Sequence, residues 1–220
     1  MEALAFFLAG VPLVLVCSFL VVRLTDFDEE VVDGADERKL PWQVEPWTSR
    51  VRWGAVLPLP ALMAVAGSRF EVAQALMVSL LVGALLVCTA TDLLRYRVPN
   101  VITYPSIVAA LLAAVFMPDA DLQSAVIAAL AAGAGFFVLA LITRGGLGLG
   151  DVKLVVLIGA LLGLHAALAI FWGVIAGGLV IFALYATGVV GRKEPVPYAP
   201  FLALAAIGVA LLQGAAFAPL

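Results

Sequence analysis

Eight apolar runs constrain what this chain can fold into more than any other feature. They cover residues 3–22, 54–66, 72–90, 101–117, 124–143, 152–164, 166–190 and 198–218, and the short segments between them hold nearly all the charge. About 20 apolar residues in a helix cross a hydrocarbon core roughly 30 Å thick. No water in that core can satisfy backbone N–H and C=O groups, so a spanning run satisfies them within its own helix. The expected fold is therefore an all-α integral membrane protein, a polytopic bundle of about eight transmembrane helices. Six remain possible if the 54–66 run, weakened by Pro58 and Pro60, merges with its neighbour as re-entrant segments. Composition agrees: 65% of the 220 residues are hydrophobic and only 12% are charged, outside the range of soluble domains.

The first run is read as a retained span and not a signal peptide. Glu2 precedes it, no basic stretch does, and it is long enough to cross the membrane. Cys17 and Cys88 both fall inside apolar runs, where a free cysteine behaves as a small hydrophobe, so no disulfide framework is expected. His165 is the single histidine, which excludes a metal site built from several imidazoles.

Charge placement orients the bundle. With eight spans, the loops on one side hold Arg23, Arg38, Lys39, Arg50, Arg52, Arg95, Arg97, Arg144, Lys153, Arg192 and Lys193, and only Arg69 lies on the other. Basic residues collect on the cytoplasmic side. Both termini are thus expected outside, in a bacterial plasma membrane, and the ends of the runs near Asp92 and Asp151 at the cytoplasmic face. No inverted repeat of the transporter kind is visible. Residues 1–70, two spans with an acidic cytoplasmic loop, are separated from a bundle over 71–220.

Asp92 and Asp151 are the two acids nearest to span interiors on that side. Asp92 closes the 72–90 run, ahead of a basic connection that Pro99 breaks. Asp151 follows Gly148-Leu149-Gly150 and opens the next apolar run. An ionisable group at such a boundary is costly unless something uses it. Two carboxyls held close cannot both ionise comfortably, so the pair shares a proton and titrates as a unit. One can then activate water while the other hydrogen-bonds a scissile carbonyl. Gly148 and Gly150 would let a peptide backbone approach and let the loop adopt positive φ. Lys153 would add to the local field or pair with a carboxylate. Ordinary readings stand beside this one: Asp92 as a helix-end anchor, Asp151 as an N-cap, Lys153 as an interface anchor. One other function uses the same residues, a transporter with ion sites at the Asp pair.

Three stretches resemble the prepilin peptidases, the type IV leader peptidase family of membrane aspartic proteases with a Gly-x-Gly-Asp motif. They are the segment from Asp92 through Pro99 and Asn100 to Pro105, the segment from Gly148 through Gly150 and Asp151 to Lys153 and Leu154, and Pro197 to Phe201. The resemblance implies that Asp92 and Asp151 are the catalytic pair, with Gly148, Gly150, Lys153, Pro99 and Asn100 supporting them. It implies a prepilin or pseudopilin precursor as partner, cleaved at the cytoplasmic edge of its apolar helix in the lipid bilayer, and no role for nucleic acid. The peptidase would need no cofactor and no metal. Cys17-Ser18-Phe19-Leu20 looks like a degenerate form of the family's first-span motif. The loop after it lacks the two Cys-x-x-Cys pairs linked in many members to methylation with S-adenosylmethionine, so that cofactor is expected only if methylation is retained. Seven acids between residues 26 and 37 could concentrate basic leaders by long-range attraction. The same resemblance is also met by a catalytically silent assembly factor of a pilus or secretion system. Oligomeric state has no signal in the sequence.

Overall fold

A computed structural model describes residues 2–26, 47–118, 120–143, 147–191 and 196–219. Along them run α1 (Glu2–Asp26), α2 (Trp47–Val56), α3 (Leu59–Arg69), α4 (Val72–Arg95), α5 (Asn100–Phe116), α6 (Leu122–Ile142), α7 (Leu149–Leu162), α8 (Ala166–Ala186) and α9 (Ala199–Gln213). A 3-10 turn at Gly163–His165 joins α7 to α8, and a two-residue antiparallel ladder, β1 (Gly214–Ala215) with β2 (Ala218–Pro219), follows α9. The chain is an all-α polytopic membrane protein. Five helical stretches are long and apolar enough to cross a bilayer: α1, the joined α2–α3, α4, α6 and the α7–α8 stretch. The helices α5 and α9 are apolar and shorter.

All eight apolar runs carry helix, but several ends differ from expectation for identifiable reasons. The 54–66 run is longer than its prolines suggested. The chain bends at Leu57 and Pro58, where Pro58 caps α3 and Pro60 lies in its first turn, positions a helix tolerates because their N–H groups have no intrahelical partner. The helix α4 does not stop at Asp92 but runs on through Leu93 and Leu94 to Arg95. It ends where Tyr96 turns left-handed (φ 53°), its N–H donating to the Asp92 carbonyl at 2.8 Å. Asp151 is likewise not an N-cap: Gly148 caps α7, and Asp151 lies within the first turn. The last run was expected to continue to 218, yet Gly214 at φ 93° stops α9 and the chain folds back into the ladder.

The helix α4 is the axis of the bundle, packing against α1, α2, α3, α5 and α9. Leu81, Leu85 and Cys88 on it are fully buried. A second axis is α7, packed against α5, α6, α8 and α9, with Leu154, Leu157, Ile158 and Leu161 fully buried. Phe116, Ile142 and Phe182 point outward, as a bilayer-facing surface requires. Cys17 and Cys88 are free and buried. Asp121 caps α6, accepting from the Ser124 N–H at 2.9 Å, and its own N–H donates to Ala216 at 2.7 Å. The Ala216 N–H in turn donates to Leu161 at 2.8 Å, so the terminal ladder ties α6 to α7 at the end opposite Asp151. The acids from 28 to 37, with Arg38, Lys39, Trp42, Arg144, Gly145, Gly146, Arg192 and Lys193, lie outside the described residues.

Candidate active site

At one end of the bundle α4 finishes, α5 begins, α7 begins and α9 begins. Asp92 projects from the last turn of α4 and Asp151 from the first turn of α7, with only 6% and 9% of their surfaces exposed. The two carboxyls are close enough for the charge on Asp151 to act on Asp92. Fifty-nine residues apart in sequence, they are brought to one end of the bundle because α4 and α7 both pack against α9.

Asp92 also meets the start of α9. Its Oδ2 accepts the Ala199 N–H at 3.0 Å, a bond across 107 residues, and the Tyr198 N–H faces the same carboxyl. The first N–H groups of a helix have no intrahelical acceptor and carry partial positive charge, so a carboxyl from another helix fits them. Pro200, in the first turn of α9, fixes where that helix starts. The structure thus gives the Pro197–Phe201 stretch a task that its composition alone did not reveal: it presents a backbone donor to Asp92. Tyr198 lies within electrostatic reach of Asp151, and its hydroxyl donates to the Val174 carbonyl at 3.1 Å. Backbone donors leave no side-chain signature, which is why Ala199 was missed.

The glycines act through space and not through backbone conformation. Gly148 caps α7 at φ −70°, and positive φ among the described glycines occurs only at Gly163, Gly188 and Gly214. A Cβ on Gly150 would lie 3.2 Å from Cγ2 of Val98, so the bare backbone lets α7 close against the connection between α4 and α5. A Cβ on Gly148 would lie 3.6 Å from Oδ2 of Asp151, in ordinary contact with that carboxyl. At the same end opens a pocket of about 550 Å³, walled by Thr91, Arg97, Pro99, Asn100, Gly150 and Lys153 among others; sequence neighbours of both aspartates line it, and the aspartates themselves do not.

Pro99 caps α5, and Asn100 in its first turn accepts a hydrogen bond from Lys153 Nζ at 2.7 Å. The same ammonium lies 5.7 Å from the centre of the Tyr104 ring. Lys153 therefore joins the starts of α5 and α7 and, among the described residues, pairs with an amide and not with a carboxylate. Asn100→Ala and Lys153→Met are each expected to lower stability by about 1 kcal/mol, a typical net value for one such bond. The double variant should be no worse than either single one. Unfolding midpoints in detergent measure this, and additive losses would show that the two side chains do not act together.

A sequence profile described as the type IV leader peptidase family matches residues 79–210, a stretch holding both aspartates, α5 to α8 and most of α9. A curated relative, the prepilin leader peptidase/N-methyltransferase of Bacillus subtilis (strain 168), is 36% identical over 168 residues. That match covers 73% of this chain and 65% of the relative, so the chain spans a little under two thirds of the relative's length. No solved structure matches at a significant level. With the profile covering more than half of its residues, the chain belongs to the type IV leader peptidase family.

Proposed function

We propose that the chain is a membrane-embedded aspartic endopeptidase that removes the leader of prepilin-like precursors at the cytoplasmic face of a bacterial plasma membrane. The observation that carries this reading is that two buried carboxyls, from α4 and α7, lie within electrostatic reach of each other at the polar end of an otherwise apolar bundle. Family membership supplies the substrate class. The collection of basic residues on one side supports the cytoplasmic placement of the site, with both termini outside.

The two carboxyls share one proton. The ionised one takes a proton from a water held between them while the other donates to the scissile carbonyl oxygen. The water oxygen bonds to the carbonyl carbon, giving a tetrahedral diol without a covalent enzyme intermediate. Its collapse breaks the C–N bond, the leaving amine takes a proton, and the carboxyls return to their starting state. Gly148 leaves room for the extended backbone beside Asp151, and Gly150 seats the first turn of α7 against Val98. The Ala199 N–H holds Asp92 in place, and Lys153 with Asn100 holds the floor of the pocket. Neither a metal nor an organic cofactor enters these steps. Catalysis is assigned to residues 71–220, and methylation of the new N-terminus forms no part of the reading.

Co-expression with a prepilin, followed by gel mobility and mass of the product, tests the proposal. The expected result is loss of the leader with a new N-terminus at the edge of the apolar helix. An unchanged precursor in membranes that contain the folded chain would overturn it.

A further inference from the structure

The helix α8 carries neither aspartate, yet its contact with α9 bears on one of them. Gly173 and Gly177, buried and one turn apart, form the seat on which the start of α9 rests. A Cβ on Gly173 would lie 3.0 Å from Cα of Leu202 and 3.2 Å from the Phe201 carbonyl oxygen, so here backbone meets backbone. A Cβ on Gly177 would lie 2.8 Å from Cε2 of Tyr198 and 3.1 Å from its Cζ, so the tyrosine ring fills the space that a side chain would need. The ring also lies beside Phe201, with centroids 6.3 Å apart, and its hydroxyl donates to the Val174 carbonyl at 3.1 Å. A carbonyl oxygen has two lone pairs, so one within a helix can still take a donor from a neighbouring helix.

Tyr198 immediately precedes α9, and the next residue, Ala199, gives its N–H to Asp92. The Tyr198 N–H faces the same carboxyl. One residue thus has its side chain held by α8 and its backbone at Asp92. The ring is joined to its own N–H through one Cα and to the Ala199 N–H through one planar peptide unit, so a ring that leaves its seat shifts both donors. Such bonds weaken steeply as the donor angle opens. Although Tyr198 lies within electrostatic reach of Asp151, its hydroxyl proton is committed to Val174 and is not offered to either carboxyl.

We propose that Tyr198, seated against Gly177 and Val174 of α8, is a positioning residue that holds Asp92 in its working orientation through the first N–H groups of α9. Its effect on turnover rests on the peptidase reading; its effect on Asp92 does not. Cleavage kinetics of a prepilin, per folded molecule, are measured for the wild type, Tyr198→Phe, Tyr198→Leu, Gly177→Ala and Gly178→Ala, the last with nothing within 4 Å of the added Cβ. In parallel, infrared difference spectra at acid pH follow the carboxyl C=O stretch of Asp92, assigned by its absence from Asp92→Asn. A C=O group that loses a hydrogen-bond donor absorbs at higher wavenumber.

Tyr198→Phe, which removes only the hydroxyl, should lower kcat about threefold, the worth of one hydrogen bond. Tyr198→Leu and Gly177→Ala should lower it about tenfold or more, as misplacement of a reacting group does. KM should stay unchanged, because Asp92 is used in the transition state. Adding Gly177→Ala to Tyr198→Leu should cost little more, since no ring remains to displace. The Asp92 band should rise in Tyr198→Leu and Gly177→Ala, and Gly178→Ala should match the wild type in every measure.

If Tyr198→Leu fails to fold, Tyr198→Phe and Gly177→Ala decide by the same measures. Lower folded yield with kcat per folded molecule and the Asp92 band unchanged would make Tyr198 a structural residue only and overturn the proposal. A raised KM with unchanged kcat would overturn it as well, placing the ring against substrate. Both results leave the peptidase standing if the wild type cleaves. A band that moves as expected in a chain whose wild type cleaves no prepilin would instead overturn the peptidase and keep Tyr198 as the residue that orients Asp92.

Discussion

Asp92→Asn and Asp151→Asn are each expected to reduce leader removal by at least about 10³-fold, the scale of positioned acid–base catalysis. The double variant should be scarcely worse than either single one, because groups acting as one unit lose their effect together. Asparagine nearly preserves the shape of aspartate, and its amide oxygen can still accept the Ala199 N–H, so the packing of α4 on α9 survives in Asp92→Asn. The loss should therefore appear in turnover and not in the amount of folded protein. Asp92→Leu makes the contrast. It leaves the Ala199 N–H without its acceptor and should cost about 1–3 kcal/mol of stability in addition to activity. Leader removal that persists in either asparagine variant, measured in membranes with equal protein, would remove that aspartate from the chemistry.

How much of this was legible in the sequence depends on whether side chains or backbone carried the information. The apolar runs located the long helices because bilayer depth and backbone satisfaction leave few alternatives, but α2 begins at Trp47, inside the segment read as a polar connection. Asp92 and Asp151 stood out because ionisable groups near span interiors are rare. Helix ends were read less well. Leu93, Leu94 and Arg95 extend α4 beyond its expected end, and the stop comes from a left-handed tyrosine that no turn signature marks. The start of α7 moved as well: Gly150 looked like a loop residue, yet it lies inside the first turn, where its bare backbone packs closely against Val98. The Ala199 N–H could be suspected only from the prolines around it.

The same distinction between backbone and side chain governs how the two carboxyl-bearing helices are held. Within a bilayer there is little hydrophobic drive between helices, so close packing carries more of the burden. The helix α7 leans on α6 at two glycines with different neighbours. A Cβ on Gly159 would lie 2.5 Å from Cα of Ala129 and 2.6 Å from its N, so the obstacle is backbone. A Cβ on Gly133 would lie 2.6 Å from Cγ2 of Val156, so the obstacle is a side chain. Gly159→Ala is therefore expected to force α6 and α7 apart, lowering stability by about 3 kcal/mol or more, at or above the usual range for overpacking. Loss of cleavage should follow, since Asp151 moves with α7. Removing side chains from Ala129 cannot help, so Ala129→Gly should not rescue it. Gly133→Ala should be milder, and Val156→Ala should restore it. Gly135→Ala, on the same α6 but with nothing within 4 Å, should match the wild type. Folded yield and unfolding midpoints in detergent distinguish these cases: rescue of Gly159→Ala by Ala129→Gly, or failure of Val156→Ala to rescue Gly133→Ala, would refute the contact assignment that positions Asp151.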